Sequence, residues 1–237
     1  MSMTAAQFVS NVFLEATGKL PTFVSGSTKW LKILALGNIN IDDWMDEPDV
    51  DWRSLYTPDV NIGPITATAT YALPATTRKI SQQEGDYIRI LHTDNITFTD
   101  YTIIDGTRQK DFANGMRTFQ DQYVTDWGTG IEFNRAFQTS DPQFGGAITV
   151  PVYTYPAHIV ADTDLVPVDI PNWLVYATAA SYDATDVTRQ QLVPRLEAKA
   201  NEVMKRMKFN NEAQNDRMYQ PFRPNAGQIP NEAFLGY

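Results

Sequence analysis

The spacing of apolar residues changes twice along this chain of 237 residues. It follows the three- and four-residue steps of a helix near both ends, and it alternates residue by residue in the middle. Such a sequence builds helices from its two ends and a sheet from its middle. We therefore predict an α+β fold in which an antiparallel β-sheet or sandwich domain is inserted into a helical bundle.

Residues 1–50 predict a helical hairpin. Thr4 and Gln7 have the spacing of a capping box, and Gly18 is typical of the residue that ends a helix. A second helix is predicted over residues 27–45, because tryptophan, leucine and isoleucine recur there on one helical face. A turn that contains Pro21 joins the two helices.

Residues 51–165 predict the β domain. Residues 65–73 alternate Thr with Ile, Ala, Tyr and Leu, as a half-buried strand does. Pro151 lacks a backbone donor and therefore predicts an edge position for the last strand. Further short strands are predicted at residues 87–91, 96–104, 120–125, 131–133 and 147–155.

Residues 166–208 predict the C-terminal helices of the bundle. Pro171 suits a first helical turn, Thr188 and Gln191 have the spacing of a second capping box, and Pro194 predicts a kink soon after it. The apolar face of the last helix is predicted to comprise Leu192, Leu196, Ala200, Val203 and Met207.

Residues 209–237 predict an extended docking arm. Pro221, Pro224 and Pro230 exclude a continuous helix through most of this segment, yet it is richer in aromatic residues than a solvated tail. The arm could lie on a neighbouring subunit, wrap on its own domain or remain disordered, and we favour the neighbouring subunit. Its predicted contact residues are Arg217, Met218, Tyr219, Phe222, Arg223, Phe234, Leu235 and Tyr237.

Charge is unevenly distributed in this chain of net charge −9. Residues 189–223 carry eight Lys or Arg and four acids, whereas the remainder carries eleven Lys or Arg and twenty-four acids. An acidic body argues against tight binding of nucleic acid, which requires a dense cationic surface. It favours complementary contacts between copies of the chain or with a second protein.

The densest polar cluster lies between residues 42 and 51. It lacks the alternating acids and central glycine of a calcium-binding EF-hand loop. We interpret it as a solvated loop, with an acidic channel or partner surface and a metal site as alternatives. Its members are Asp42, Asp43, Asp46, Glu47, Asp49 and Asp51.

Catalytic motifs are not evident, and we predict neither an enzyme nor a cofactor or metal site. The two histidines, His92 and His158, have no acidic or histidine motif beside them, and there is no nucleophile elbow or phosphate-binding glycine loop. With no cysteine, the chain has neither disulfides nor thiolate ligands. It has no run of about 20 apolar residues, so we expect a soluble protein without a membrane segment.

The order of these elements resembles the head-to-tail adaptor, or connector, proteins of tailed bacteriophages, particularly the tail-tubular-A type. The resemblance covers about residues 4–210 and rests on the order of elements more than on any single motif. The segments that carry it are Trp52-Arg53-Ser54-Leu55, Tyr71-Ala72-Leu73-Pro74, Ile131-Glu132-Phe133, residues 150–155, and residues 164–171 leading into the helices of Trp173 and of residues 192–207.

That resemblance implies a structural virion protein in the neck between capsid and tail, synthesised in the cytoplasm of a bacterial host. Its partners would be a ring of twelve copies, the portal protein above it and a tail or nozzle protein below it. DNA would pass through the ring without specific binding. Neither the tail beyond Asn210 nor the acidic residues 42–51 match the family.

Two other functions remain open from the sequence. One is a different tail or baseplate module that binds through a β-sandwich face. The other is a carbohydrate-active enzyme, since its paired carboxylates need not be close in sequence.

Overall fold

The computed structural model describes residues 2–48, 50–83, 86–106 and 123–219. The chain is an α+β protein, as predicted, and divides into two compact units. One unit comprises Met1–Arg53 and His158–Tyr237, and the other comprises Ser54–Ala157. The helices lie in the first unit and the strands in the second. Within these described ranges, no helix combines the length and apolar character that spanning a membrane requires.

The two N-terminal helices follow the sequence prediction closely. Helix α1 (Ala5–Thr17) begins with the predicted capping box between Thr4 and Gln7, and it ends at Gly18, whose φ of 70° lies in the left-handed region. Helix α2 (Thr28–Met45) begins after Ser27, whose side chain accepts a hydrogen bond from the Trp30 N–H. These caps satisfy backbone donors that have no partner within the helix.

The two C-terminal helices are α3 (Pro171–Ala184) and α4 (Val193–Tyr219). Pro171 occupies the first turn of α3, as predicted. The predicted capping box before the last helix is wrong, because the Thr188 hydroxyl donates to Asp186 and a 3₁₀ turn at Gln190–Leu192 precedes α4. The predicted kink is also wrong: Pro194 falls in the first turn of α4, where its missing N–H costs no helical hydrogen bond.

Helix α3 is the central helix of the helical unit and packs against α1, α2 and α4. The approach of α1 to α2 is close, since a Cβ at Gly37 would lie 2.8 Å from the ring of Phe8. On α4 the buried residues are Leu196, Ala200, Val203 and Met207, as predicted, whereas Leu192 in the 3₁₀ turn is exposed. The helical period thus identified the buried face of α4 but not its first residue.

In the described residues, eight strands form one curled mixed sheet. The strand order is β1-β8-β4-β5-β6-β7-β2, with β3 also paired to β8. The prediction of a purely antiparallel sheet is wrong, because β5 and β6 run parallel. The strands are β1 (Tyr56–Pro64), β2 (Thr70–Ala72), β3 (Thr77–Ile80), β4 (Ile88–Leu91), β5 (Phe98–Asp105), β6 (Tyr123–Asp126), β7 (Gly130–Phe133) and β8 (Ala147–Thr154).

Strand β8 is central to this sheet, so the predicted edge position of Pro151 is wrong. It pairs with β1 on one side and with β3 and β4 on the other. The register of β1 shifts between Thr57 and Val60, opposite Pro151, and the Pro151 carbonyl accepts a hydrogen bond from the Ser81 N–H. A bulge opposite the proline removes the need for the donor that proline lacks.

The strand predicted over residues 65–73 is mostly absent. Only Thr70–Ala72 forms a strand there, and the Tyr71 hydroxyl bonds to the backbone of Thr66 and Thr68 instead. The core of the sheet gathers around Phe133, whose ring meets those of Tyr71, Tyr101 and Phe137 edge-on. The alternation of residues 65–73 therefore predicted the burial of Ile65 but neither the exposure of Ala67 nor the length of the strand.

The turn between β4 and β5 is held by a single carboxylate. Asp94 accepts hydrogen bonds from the Thr97 hydroxyl and from the N–H groups of Ile96 and Thr97. These bonds, chiefly that of the Thr97 hydroxyl, lower the pKa of Asp94 to about 2. Asn95 takes a positive φ of 56°, which asparagine tolerates better than most residues.

Candidate assembly surface

The acidic residues 42–51 lie where the chain leaves α2. Asp42 and Asp43 belong to the last turn of the helix, and Asp46 caps it with a backbone bond to the Asp42 carbonyl. Carboxylates at a helix C-terminus oppose the helix dipole, so compensating contacts are expected. Asp49 lies outside the described residues.

Two of these acids have partners from distant parts of the same unit. A hydrogen bond of 2.8 Å joins Asp42 Oδ1 to His158 Nε2, and Glu47 forms an ion pair with Lys208 of α4. Asp43 and Asp46 remain exposed. Asp42 and Glu47 therefore connect the end of α2 to other parts of the helical unit, whereas Asp43 and Asp46 form an acidic surface. A loop that is only solvated would not need these two contacts.

Asn211 fastens α4 to the segment that follows this cluster. Its side-chain amide donates to the Asp51 carbonyl at 2.9 Å, and its side-chain oxygen accepts from the Arg53 N–H at 2.9 Å. The residue is only 6% exposed. Because both backbone groups are satisfied by one side chain, α4 is fixed at the point where the chain passes into the strand unit.

Asn38 makes a matching pair of bonds where the chain returns. Its amide donates to the Ile159 carbonyl at 3.0 Å, and its oxygen accepts from the Ile159 N–H at 2.8 Å. We call Asn38 and Asn211 the two asparagine clips. Both segments that connect the helical unit to residues 54–157 are therefore held by a helix side chain.

Two tryptophans reinforce the first connection. Trp52 stacks on Trp44 with ring centroids 5.2 Å apart, and its Nε1 donates to the Trp44 carbonyl at 2.7 Å. Both side chains are fully buried. The carbonyl belongs to the last turn of α2, where it also accepts a longer hydrogen bond of 3.3 Å from the Glu47 N–H.

The predicted arm begins later than expected, because α4 continues to Tyr219, eleven residues beyond the predicted boundary at 208. No proline lies between Pro194, in the first turn of α4, and Pro221. Proline therefore does not interrupt the helix before its end at Tyr219. Arg217, Met218 and Tyr219 therefore belong to the helix. The remaining predicted arm residues, Phe222, Arg223, Phe234, Leu235 and Tyr237, lie outside the described residues.

A buried carboxylate, Asp183, lies in the last turn of α3. Asp183 is 0% exposed, and neither of its oxygens has a hydrogen-bond partner; Arg189 approaches to 3.9 Å. Burial raises the pKa of Asp183 above its ordinary value, and the charge of Arg189 opposes this in part. Burial of Asp183 could not be predicted from the sequence, since aspartate is common near helix ends.

The structure does not bring the acidic cluster together as a metal centre: across the described ranges, no three His, Asp or Glu side chains are arranged to hold an ion. The two histidines belong to different units, and His92 forms a hydrogen bond with Thr99. No protein-family model matches the sequence, and no curated protein shows significant sequence similarity to it.

Sequence reasoning missed both asparagine clips. One signal was present for Asn211, since it occupies the next helical position after Met207 on the buried face of α4. A polar residue in an apolar series predicts a specific hydrogen-bond partner. Asn38 follows Leu34 at the same four-residue step.

Proposed function

We propose that this chain is a structural virion protein, a head-to-tail adaptor that forms a ring between the portal and the tail or nozzle. The four helices would act as a bundle that forms the ring wall, and the strand unit, as a sandwich-like module, would face outward or towards the tail. DNA would pass through the ring without being bound specifically. The site of action would be the neck of the virion.

One observation carries this proposal: α4 is anchored by Asn211 and Lys208 and then leads towards residues 220–237. A helix fixed at residues 208–211 provides a rigid base for a segment that must reach another protein. The aromatic and apolar residues of that segment supply what a partner surface would bury. The order of helices, strands and helices supports the same function.

Removing residues 218–237 tests the proposal, because the cut leaves Asn211 and Lys208 in place. We expect the truncated chain to keep its thermal unfolding temperature within about 3 °C and to lose at least tenfold in affinity for a portal ring of the same virion. Negative-stain imaging of the mixture should show twelvefold rings on the narrow end of the portal with the full chain only.

A matched pair of full-length variants separates the arm's side chains from its length. Replacing Phe222, Phe234 and Leu235 by Ser should weaken portal binding, whereas replacing Gln228 and Asn231 by Ser should not. Unchanged portal binding by the truncated chain would disprove the docking arm. Decoration of the virion periphery by the full chain would instead support a tail or baseplate module.

A further inference from the structure

A groove of about 690 Å³ opens between α2, α3 and α4. Asn40 of α2 forms part of one wall, and Glu197, Met204 and Lys205 of α4 form the other. Small side chains line its floor, which allows a helix to approach the backbone closely. Those floor residues are Ala177, Ala180, Ser181 and Ala184 of α3, with Ala200 of α4 beside them.

Helix α2 has a second apolar face that its own unit does not use. Leu31 and Ile39 are 56% and 57% exposed, and Ala35 lies exposed between them at the same four-residue step. The opposite side of α2 is buried in the core through residues such as Ile33 and Ile41. A helix that is apolar on opposite sides is typical of one buried on both sides in its final assembly.

The charges that bracket this face match those of the groove. On α2, Lys32 and Asp43 lie eleven residues apart, about 16 Å along a helix. On α4, Glu197 and Lys208 have the same separation, with Lys205 one turn earlier. Two of these lysines already have partners in their own unit, since Lys32 donates to Thr185 at the end of α3 and Lys208 pairs with Glu47. The charge match therefore rests on Asp43 and Lys205: a helix lying parallel to α4, with its apolar face over the groove floor, would place Asp43 near Lys205.

We propose that the outer face of α2 from one copy of the chain docks in this groove of a second copy, parallel to α4. The groove's own α2 is already one of its walls, so the docked helix must come from another molecule. Burying Leu31 and Ile39 supplies the apolar contact, and the pairing of Asp43 with Lys205 sets the direction. This contact rests on the self-assembly in the proposed function and names the surfaces that would carry it.

The absence of cysteine makes engineered disulfides a clean test. In the parallel arrangement, the start of the α2 face lies near the α3 end that carries Ala184. An equal mixture of two full chains, one carrying Leu31→Cys and the other Ala184→Cys, should form a mixed disulfide dimer on mild oxidation, seen on non-reducing gels. Separate chains exclude a disulfide within one copy, where Lys32 of α2 already contacts Thr185 beside Ala184. The matched control mixture of the Ile39→Cys and Ala184→Cys chains should form at least fivefold less, and equal yields would overturn the proposal.

A charge exchange tests the same contact without cross-linking. Asp43→Lys and Lys205→Glu alter exposed residues, so each should leave the fold intact and weaken self-association about tenfold in sedimentation experiments. The double variant should recover to within about threefold of the original chain. A double variant as weak as the two single variants combined would disprove the pairing.

Portal binding separates this contact from the proposed function. Portal rings that form without the expected cross-link would reject the α2 contact and leave the adaptor function standing. Cross-linked copies that fail to bind a portal would support the contact and reject the adaptor function.

Discussion

Two asparagine side chains hold the segments that connect the helical unit to residues 54–157. Asn38 and Asn211 each use a donor and an acceptor on the backbone of a connecting segment. A short amide side chain offers a donor and an acceptor on separate atoms, so aspartate or leucine would leave a backbone group without a partner. The identity of each residue is therefore set by the backbone it faces.

Asp183 presents the opposite case, a carboxylate whose surroundings do not satisfy it. Its pKa is raised, so the folded protein binds more protons than the unfolded chain in the interval above the ordinary value of 3.8. Stability is consequently lost as the pH rises through that interval, and the loss persists at neutral pH.

We therefore expect Asp183→Asn to stabilise the protein by about 1 kcal/mol at pH 7, with a smaller gain near pH 4. Thermal unfolding at several pH values would measure this. Asp186→Asn is the control of opposite sign, because the hydrogen bond of the Thr188 hydroxyl lowers the pKa of Asp186. That variant should lose stability at neutral pH and lose less as the pH falls below 4. Lower stability of Asp183→Asn at pH 7 would contradict the argument.

At the scale of elements, the helices could be predicted from the sequence, whereas the strands could be predicted only in part. The caps of α1 and α2 are local, so Thr4, Gln7 and Ser27 mark them in the sequence. Strand pairing, in contrast, depends on residues far apart in the chain. Two prolines and a glycine in β1 are unfavourable for a strand and concealed it from prediction, and β3 shows no alternation of apolar and polar residues. The central position of β8 depends on a bulge in β1, which the residues near Pro151 do not encode.

The candidate site could likewise be predicted only in its local part. The acidic residues at the end of α2 were visible from composition, whereas their partners His158 and Lys208 lie more than 100 residues away in sequence. The predicted helix boundary at residue 208 is too early, because the prolines that exclude a helix begin only at Pro221 and the asparagines before it do not end the helix. Burial of Asn211 outweighs their modest propensity cost.

The anchoring of α4 by Asn211 yields a prediction for this element. Asn211→Ala would leave the Arg53 N–H and the Asp51 carbonyl without their partner, so we expect a loss of about 1 to 3 kcal/mol in the free energy of unfolding. Chemical denaturation followed by circular dichroism would measure it. The neighbouring Asn210 is exposed, and Asn210→Ala should change stability by less than about 0.5 kcal/mol. Equal effects of the two substitutions would refute the role given to Asn211.

At the scale of the molecule, both connections to residues 54–157 are fixed within the helical unit. Trp52 stacks on Trp44, and His158 bonds to Asp42, so both connections meet the last turns of α2. The helical unit has its own core, to which α1, α2, α3 and α4 all contribute.

Replacement of residues 54–157 by a flexible linker of about ten residues should therefore leave a folded helical protein. We expect a helical circular dichroism spectrum and a cooperative thermal transition. The same deletion carrying Asn38→Ala and Asn211→Ala should melt at a lower temperature, because both clips are lost. A gradual, non-cooperative transition of the first variant would show that the helices depend on the strands.

The positions of α3 and β8 in the chain also fix the order of events during synthesis. Helix α3 packs against the other three helices, and β8 pairs with β1, β3 and β4. Both elements come late in the chain, since β8 ends at Thr154 and α3 at Ala184. On the ribosome, α1 and α2 must therefore wait with their apolar sides uncovered for more than 120 residues before α3 arrives. The nascent chain is exposed to aggregation throughout that interval, and a chaperone that binds helical apolar faces would act on it then.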